Sequence, residues 1–464
     1  MKQLAFRTTF VFLLLLSLNA FPQGVPERLR AAFSTFSEDP QLRNGIASLY
    51  VLDANTGQVV FEQNGKTGLA PASTLKLITS ATAYELLGKD FRYETKVAIR
   101  KKDGAALLLI IPSGDPTLGS WRWSGTNEEV VLNGIANALL KTGTTDYTEV
   151  AVVNNGWQEE FIPDGWIWQD VGNYYGAGPA KLNWRENQFD VLLRSGSQHG
   201  GAVSIVKTIP ALHGYHLRSE VKAAGAGTGD KAYIYFPVNT TTATIRGTIP
   251  VGQANFKIAG AMPSPAQQLV GTLAQKLQAR QIKIPATPKL LDNFNHQQAG
   301  YSTVHTITSP PLDSIVYWFN RKSINLYGEA LLKTMAYQST GSSATEPSLE
   351  LVRNFWKKVG ISETELNIAD GSGLSPLNRV TTHAQARVLL HARRQPWFPG
   401  FYQSLPTFNG MKMKSGTIRD VKGFCGYHKS KDGKEYIFAF LVNNYNGSPA
   451  TVTQKMYKVL DVLK

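Results

Sequence analysis

Between residues 92 and 299 the chain takes on a strand-like texture, and helical texture lies on both sides of it. RYETKVAIR, ALLLII, EVAVVNN, FDVLLRS, AVSIVK, YHLRSEV and KAYIYFPV are short runs rich in β-branched and aromatic residues, bounded by turn formers. Two helical patterns, near Asn127–Leu140 and Pro265–Arg280, interrupt them. A β-rich stretch between two helical stretches excludes a single bundle and predicts a module inserted into an α+β domain. Residues 24–91 and 300–464 would form that outer domain, and 92–299 a module of one or two subdomains. A chain of 464 residues is long enough to bury a core in each.

The flanks carry clear local signals. IASLYVL and QVVFE read as strands joined at Asp53–Gly57. PPLDSIVYWFNRKSINLYGEALLKTMAYQ reads as two helices broken around Arg321–Ser323, and VTTHAQARVLLHARRQ as another with Thr382 as its N-cap. The chain closes with strands GMKMKSGT and GFCGYH, a turn at Lys431-Asp432-Gly433, strand EYIFAFLV and an amphipathic helix from Ala450 to Leu463.

The first 23 residues read as a secretory signal. Lys2 and Arg7 precede a short apolar run from Phe10 to Leu18, with a small-residue cleavage site at Leu18-Asn19-Ala20 or Gln23-Gly24. The lone Cys425 excludes an intramolecular disulfide and sits between apolar residues, as a core thiol does. An exported, disulfide-free protein fits the periplasm. The net charge of +14 is spread along the chain without a basic helix or stacking motif, so no nucleic-acid partner is expected. The eight histidines show no ligand spacing, so no metal and no cofactor are expected. No later run is long enough to span a bilayer. Gly225-Ala226-Gly227-Thr228-Gly229 is followed by a strand rather than a helix, and reads as a turn rather than a phosphate loop.

Ser73-Thr74-Leu75-Lys76 opens an apolar helical segment. Residues three apart on a helix share a face, with Cβ atoms about 5–6 Å apart. An amine so placed can take the hydroxyl proton that keeps serine a poor nucleophile. Leu75, Leu77, Ile78, Ala81, Leu86 and Leu87 supply the apolar face, and Gly88 the stop. Ser204–Lys207 and Ser219–Lys222 repeat the spacing in strand or turn contexts, where positions i and i+3 do not cooperate. Taken alone, Ser73 and Lys76 could be a capping serine and a solvated lysine.

Two further motifs raise the first above chance. Ser323-Ile324-Asn325 falls in the break between two helices, where a hydroxyl can relay a proton and an amide can hold a lysine. Lys414-Ser415-Gly416-Thr417 lies on a strand that starts a hairpin. There a cation can hold a carboxylate, glycine permits close approach, and the Thr417 amide is available to an oxyanion. Lys66-Thr67-Gly68 and Lys141-Thr142-Gly143 copy the pattern in the wrong order or context.

On these motifs the chain resembles the penicillin-binding serine D-alanyl-D-alanine carboxypeptidases, most closely the low-molecular-mass class C type with its long insertion. GDPTL at 114–118, GNYYGAGPAKLN at 172–183, DGSGLS at 370–375, Asn378-Arg379-Val380 and FLVNN at 440–444 extend the match over nearly the whole mature chain. The resemblance implies a β-lactamase/transpeptidase-like domain, an antiparallel sheet flanked by helices. It implies D-Ala-D-Ala carboxypeptidase or D,D-endopeptidase action on peptidoglycan peptides, with β-lactams as covalent inhibitors, and is compatible with a homodimer. Ser73 would be acylated and Lys76 its base. Ser323 would shuttle the proton, Asn325 position Lys76 and substrate, and Lys414 hold the terminal carboxylate or tune Ser323. Ser415, Gly416 and Thr417 would bind substrate. The pattern departs in three places, the mildest being Ser415 where threonine is common, which keeps the hydroxyl. Pro376 stands where an arginine often follows DGSGLS, and Asn154 and Asn155 where the insert often supplies an aspartate. A β-lactamase or esterase is the alternative on this scaffold, but Glu186-Asn187 lacks the E-x-x-x-N spacing that class A deacylation uses. A non-catalytic wall-binding protein would not need all five polar residues.

Overall fold

The computed structural model describes residues 24–157, 161–237, 240–295 and 300–464; the expected signal segment, residues 1–23, lies outside them. A six-stranded antiparallel sheet organises both ends of the chain. Its order is Thr407–Phe408, Met411–Ile418, Val421–Lys429, Glu435–Asn443, Ile46–Asp53 and Val59–Gln63. Ile46–Asp53 pairs with Glu435–Asn443 from Ile46↔Asn443 to Asp53↔Tyr436, so the first strand of the chain docks on the last. The two central strands are buried on both faces, which explains why EYIFAFLV is apolar throughout rather than alternating.

One face of the sheet is covered by helices Val25–Ser37 and Pro449–Leu460, through Phe33, Phe36, Phe440 and Met456. The other carries helices Lys76–Leu87, Leu312–Lys322, Asn325–Thr340, Thr345–Lys358 and Thr382–Arg393 around Leu77, Phe319, Tyr327, Trp356 and Leu389. This is the α+β arrangement anticipated from the sequence. The Lys76–Leu87 helix is buried on all sides through Tyr84, as a helix at the centre of a core must be. Of its anticipated apolar face Leu86 is exposed and Leu87 partly so.

Three local readings need correction. The helix at 382–393 is capped by Thr381, not Thr382: the Thr381 hydroxyl accepts the Ala384 N–H at 3.0 Å. Thr382 is buried instead against the Ser48 hydroxyl at 2.6 Å. Helices Val25–Ser37 and Thr345–Lys358 have no counterpart in the sequence reading, although Leu29, Phe33 and Phe36 in the first and Leu349, Val352 and Trp356 in the second recur at helical spacing. Strand Ser302–Thr308 hydrogen-bonds along Glu94–Lys102, so the boundary set between 299 and 300 cuts an edge strand from its sheet.

That sheet has five strands, in the order Lys289–Leu291, Glu149–Val153, Ala105–Ile111, Glu94–Lys102 and Ser302–Thr308. A three-stranded sheet runs Phe256–Ala261, Gln188–Ser195, Val203–Ile209. In a four-stranded one, Lys231–Tyr235, His216–Ser219 and Lys222–Ala224 all pair with Thr242–Pro250. Helices Glu128–Lys141 and Pro265–Gln278 pack among them, and one apolar cluster from Val97 to Ile307 links all three sheets. No described helix is long and apolar enough to cross a membrane.

Candidate active site

Ser73 sits in a single 3-10 turn, Ala72–Leu75, that runs directly into the Lys76–Leu87 helix. Ala72 adopts φ +46°, a left-handed conformation that costs a non-glycine residue on the order of 1 kcal/mol or more and persists only where its surroundings impose it. Two glycines show how they do. Gly373 has φ +81°, and a Cβ there would collide with Ala72 O. A Cβ on Gly416 would lie 2.6 Å from Pro71 O and 3.0 Å from Ser73 N. The 370–375 loop and the Met411–Ile418 strand therefore close on the nucleophile turn from two sides.

Lys76 is fully buried, and its Nζ meets three oxygens. Asn325 Oδ1 and the Ser372 carbonyl accept at 2.6 Å each, and Ser73 Oγ lies at 3.0 Å. The Phe319 ring lies 5.8 Å away. Burial lowers the Lys76 pKa to about 7, against the opposing pull of Asp370 and Glu329. Near neutral pH a large share of this side chain is an amine. Its two N–H bonds then go to Asn325 and Ser372, which leaves the lone pair for the Ser73 hydroxyl.

Ser323 ends the Leu312–Lys322 helix in a left-handed conformation, φ +57°. Lys414 Nζ donates to Ser323 Oγ at 3.0 Å and to Ser415 O at 2.9 Å. Burial first, then the neighbouring Lys76 and Lys422, holds the Lys414 pKa well below its usual value. Ser323 and Asn325 belong to one interhelical turn, and each holds one of the two buried lysines. The structure thus brings Ser73, Lys76, Ser323, Asn325 and Lys414 together, with Ser415, Gly416 and Thr417 along the adjoining strand.

Sequence reasoning missed the layer behind these groups. Asp370 accepts from Trp166 Nε1 at 3.0 Å, Gly373 N at 2.7 Å, Ser375 N at 2.6 Å and Asn378 Nδ2 at 2.9 Å. Glu329 Oε2 accepts the Gly371 N–H at 2.9 Å, and burial plus the Asp370 charge raises its pKa to about 8. Together they fix the loop whose Ser372 carbonyl holds Lys76. One signal was present: Glu329 lies four residues after Asn325 in the same helix, and so on the same face. The 92–299 module also reaches the site. Tyr175 O accepts Asn325 Nδ2 at 2.8 Å, and Trp166 binds Asp370.

Other singled-out residues have different surroundings. Asn154 Nδ2 donates to Asp292 Oδ1 at 3.1 Å, and Asn155 pairs through its amide with the Phe294 backbone. Arg379 donates to the carbonyls of Pro376 and Asn378. Glu186 Oε1 accepts from Ser120 Oγ at 2.7 Å, Arg122 Nε at 2.8 Å and Tyr327 Oη at 2.9 Å, which ties the module to the Asn325 helix. Cys425 is buried, as expected.

The family model of the D-Ala-D-Ala carboxypeptidase 3 (S13) family matches residues 29–463. The chain belongs to that family and is a serine peptidase. It is 25% identical over 461 residues to the D-alanyl-D-alanine carboxypeptidase of Actinomadura sp. (strain R39), covering 91% of this chain and 82% of that protein. It is 23% identical over 420 residues to the D-alanyl-D-alanine carboxypeptidase DacB of Haemophilus influenzae, covering 84% of each. The crystal structure of penicillin binding protein 4 (dacB) from Haemophilus influenzae superposes with a TM-score of 0.79 at 20% identity, over 93% of this chain and 99% of that one. Its complex with a novel β-lactam superposes with a TM-score of 0.73 at 19% identity, over 93% and 98%.

Proposed function

We propose that this chain hydrolyses the D-Ala-D-Ala ends of peptidoglycan stem peptides, or the D,D-cross-links between stems, through an acyl-enzyme on Ser73. The observation that carries the reading is the Lys76 environment. A buried amine lies 3.0 Å from Ser73 Oγ, with its other hydrogen-bonding positions filled by Asn325 and Ser372.

Lys76 takes the Ser73 proton as Oγ attacks the carbonyl carbon of the penultimate D-Ala. The resulting oxyanion is held by the backbone N–H groups of Ser73 and Thr417, donors worth about 10²–10³ in rate each. As the C–N bond breaks, the proton that Lys76 took passes through the Ser323 hydroxyl, which is hydrogen-bonded to Lys414, to the leaving amine, and Lys76 is a free amine again. Water then attacks the ester, passes its proton to Lys76, and releases the shortened peptide and Ser73. Ser415, Gly416 and Thr417 line the strand along which the extended substrate lies. Residues 1–23 direct export to the periplasm, and residues 92–308 form a module that steadies Asn325 and Asp370.

The test is labelling with a fluorescent penicillin, followed by mass spectrometry of purified muropeptides after digestion. Ser73 takes the label and Ser73→Ala loses it. Loss of one alanine marks the carboxypeptidase, and splitting of dimers the endopeptidase. A folded wild-type protein that neither takes the label nor changes any muropeptide rules the reading out.

A further inference from the structure

We infer that the groove beside Trp121 is a subsite for the amino-sugar polymer that carries the stem peptides. The inference rests on the D,D-hydrolase reading and deepens it by adding a second substrate contact, to the glycan, outside the reacting centre.

Trp121 is 51% exposed, yet the chain on both sides of it is fixed. Ser120 Oγ and Arg122 Nε both donate to the buried Glu186 Oε1, at 2.7 and 2.8 Å. The Ser120 N–H donates to Thr117 O at 3.0 Å, and the Trp123 N–H to Ser120 O at 3.3 Å. The Arg122 guanidinium lies 5.4 Å from the centre of the Trp121 ring and 5.5 Å from that of Trp318. A large indole held on a fixed loop, backed by a cation and half open to solvent, is a stacking platform that loses little freedom on binding.

The platform stands at a groove of about 620 Å³, walled by the start of helix Glu128–Lys141 and the end of helix Pro265–Gln278. That volume lies in the range of small-ligand sites, about 300–1,000 Å³. The charges in the groove cancel in pairs: Glu128 with Arg185, and Glu129 with Lys276 at 2.8 Å. An ionic ligand would find its partner already taken. A neutral ligand rich in hydroxyl and amide groups can bond to both members of each pair, because a carboxylate accepts at two oxygens and a guanidinium carries five donors. The exposed Gln275 amide adds a donor and an acceptor. A pyranose presents hydroxyls around its rim and C–H bonds on its face, so it meets the polar walls and the indole together. An N-acetylated hexosamine polymer is neutral and supplies amides as well as hydroxyls.

The groove adjoins the helices that carry the site. Trp318, the second ring against Arg122, lies five residues before Ser323 in helix Leu312–Lys322. Glu186, which holds the residues on either side of Trp121, accepts the Tyr327 hydroxyl at 2.9 Å, two residues after Asn325. A stem of four residues between the sugar and the scissile bond spans on the order of 15 Å when extended, so the glycan lies close to any enzyme that cuts there.

The first measurement is calorimetric titration of the full chain with N-acetylchitotetraose and, for comparison, cellotetraose. Wild type should bind the amino sugar, and the glucose tetramer about tenfold more weakly for want of the amide hydrogen bonds. Trp121→Ala should weaken the first by about tenfold, the scale of one aromatic contact, and Trp121→Phe should recover most of it. The second measurement compares kcat/KM on intact sacculi with that on a sugar-free, diacylated L-Lys-D-Ala-D-Ala peptide. Trp121→Ala should lose about tenfold on sacculi, through KM, and stay within about twofold of wild type on the peptide. A wild type that binds neither tetramer or both equally would overturn the inference. So would unchanged affinity or unchanged sacculus digestion in Trp121→Ala, and so would equal losses on sacculi and peptide. If Trp121→Ala does not fold, Gln275→Ala, at an exposed position, must show the same selective loss. Titration of Ser73→Ala with the sugar needs no catalysis, and penicillin labelling of wild type needs no sugar, so a failure here is distinct from a failure of the D,D-hydrolase reading.

Discussion

The two parts of the molecule bury charge differently. Around the six-stranded sheet the buried carboxylates and ammoniums among the described residues are Lys76, Glu329, Lys333, Glu365, Asp370 and Lys414, and all but Lys333 and Glu365 lie in or directly behind the reacting centre. In the 94–308 region the buried carboxylates and ammoniums among the described residues are Asp115, Lys181 and Glu186. Glu186 and Lys181 face the outer domain: Glu186 accepts the Tyr327 hydroxyl, and the Lys181 ammonium lies 5.1 Å from the Tyr337 ring. Farther in, the module core is apolar, with Val131, Ile234, Ile245 and Leu269 all nearly inaccessible. Charge placed in a low-dielectric interior is costly unless paired. One part of the molecule bears that cost to hold an amine near neutrality, and the other to dock a conventional core against it.

The contrast predicts that substitutions separate into those that change rate and those that change stability. The largest effect on rate comes from Lys76→Ala, which should slow acylation by about 10²–10⁴-fold while circular dichroism stays native. In the wild type, kcat/KM for acylation should rise with pH to a midpoint near pH 7 and then level off. The lone pair exists only above the Lys76 pKa, which burial has brought down from 10.5 to about 7. A profile flat from about pH 5 to 8 would remove Lys76 as the base.

A smaller effect is expected at the seam. Trp166→Phe deletes the module's donor to Asp370, 204 residues away in sequence. Stopped-flow acylation should fall about tenfold, in line with the loss of one hydrogen bond to a charged group. Acylation at the wild-type rate would mean that the module has no influence on the Lys76 loop.

The smallest effect on rate belongs to Ile234→Ala, in the fully buried core of the module. Chemical denaturation should show a loss of about 2–5 kcal/mol, while the acylation rate of the folded protein stays within about twofold. A rate that falls in step with stability would merge the two parts into one functional unit.

Much of the site was legible because its motifs advertise themselves locally. Ser73 and Lys76 sit at a helix start, Ser323 and Asn325 in a helix break, and Lys414 to Thr417 on a hairpin strand. Ser204 and Lys207 could be dismissed by the same logic, since Val203–Ile209 is a strand. The supporting groups gave no comparable signal. Asp370 reads as a turn former, Glu329 as one acid in a helix, and Tyr175 acts through a backbone carbonyl that carries no side-chain identity. The edge strand Ser302–Thr308 was misassigned because its partner, Glu94–Lys102, lies some two hundred residues earlier.

By itself the amino-acid order determined which short segments are helix, strand and turn, and which polar residues they carry. Those choices follow from backbone periodicity and turn chemistry within a few residues. Only the folded molecule decided that Lys76 is buried and held by acceptors 249 and 296 positions away, and that Lys414 faces inward. The pKa of an amine depends on solvent access and on charges within a few ångströms, and that neighbourhood exists only once distant strands and helices have packed.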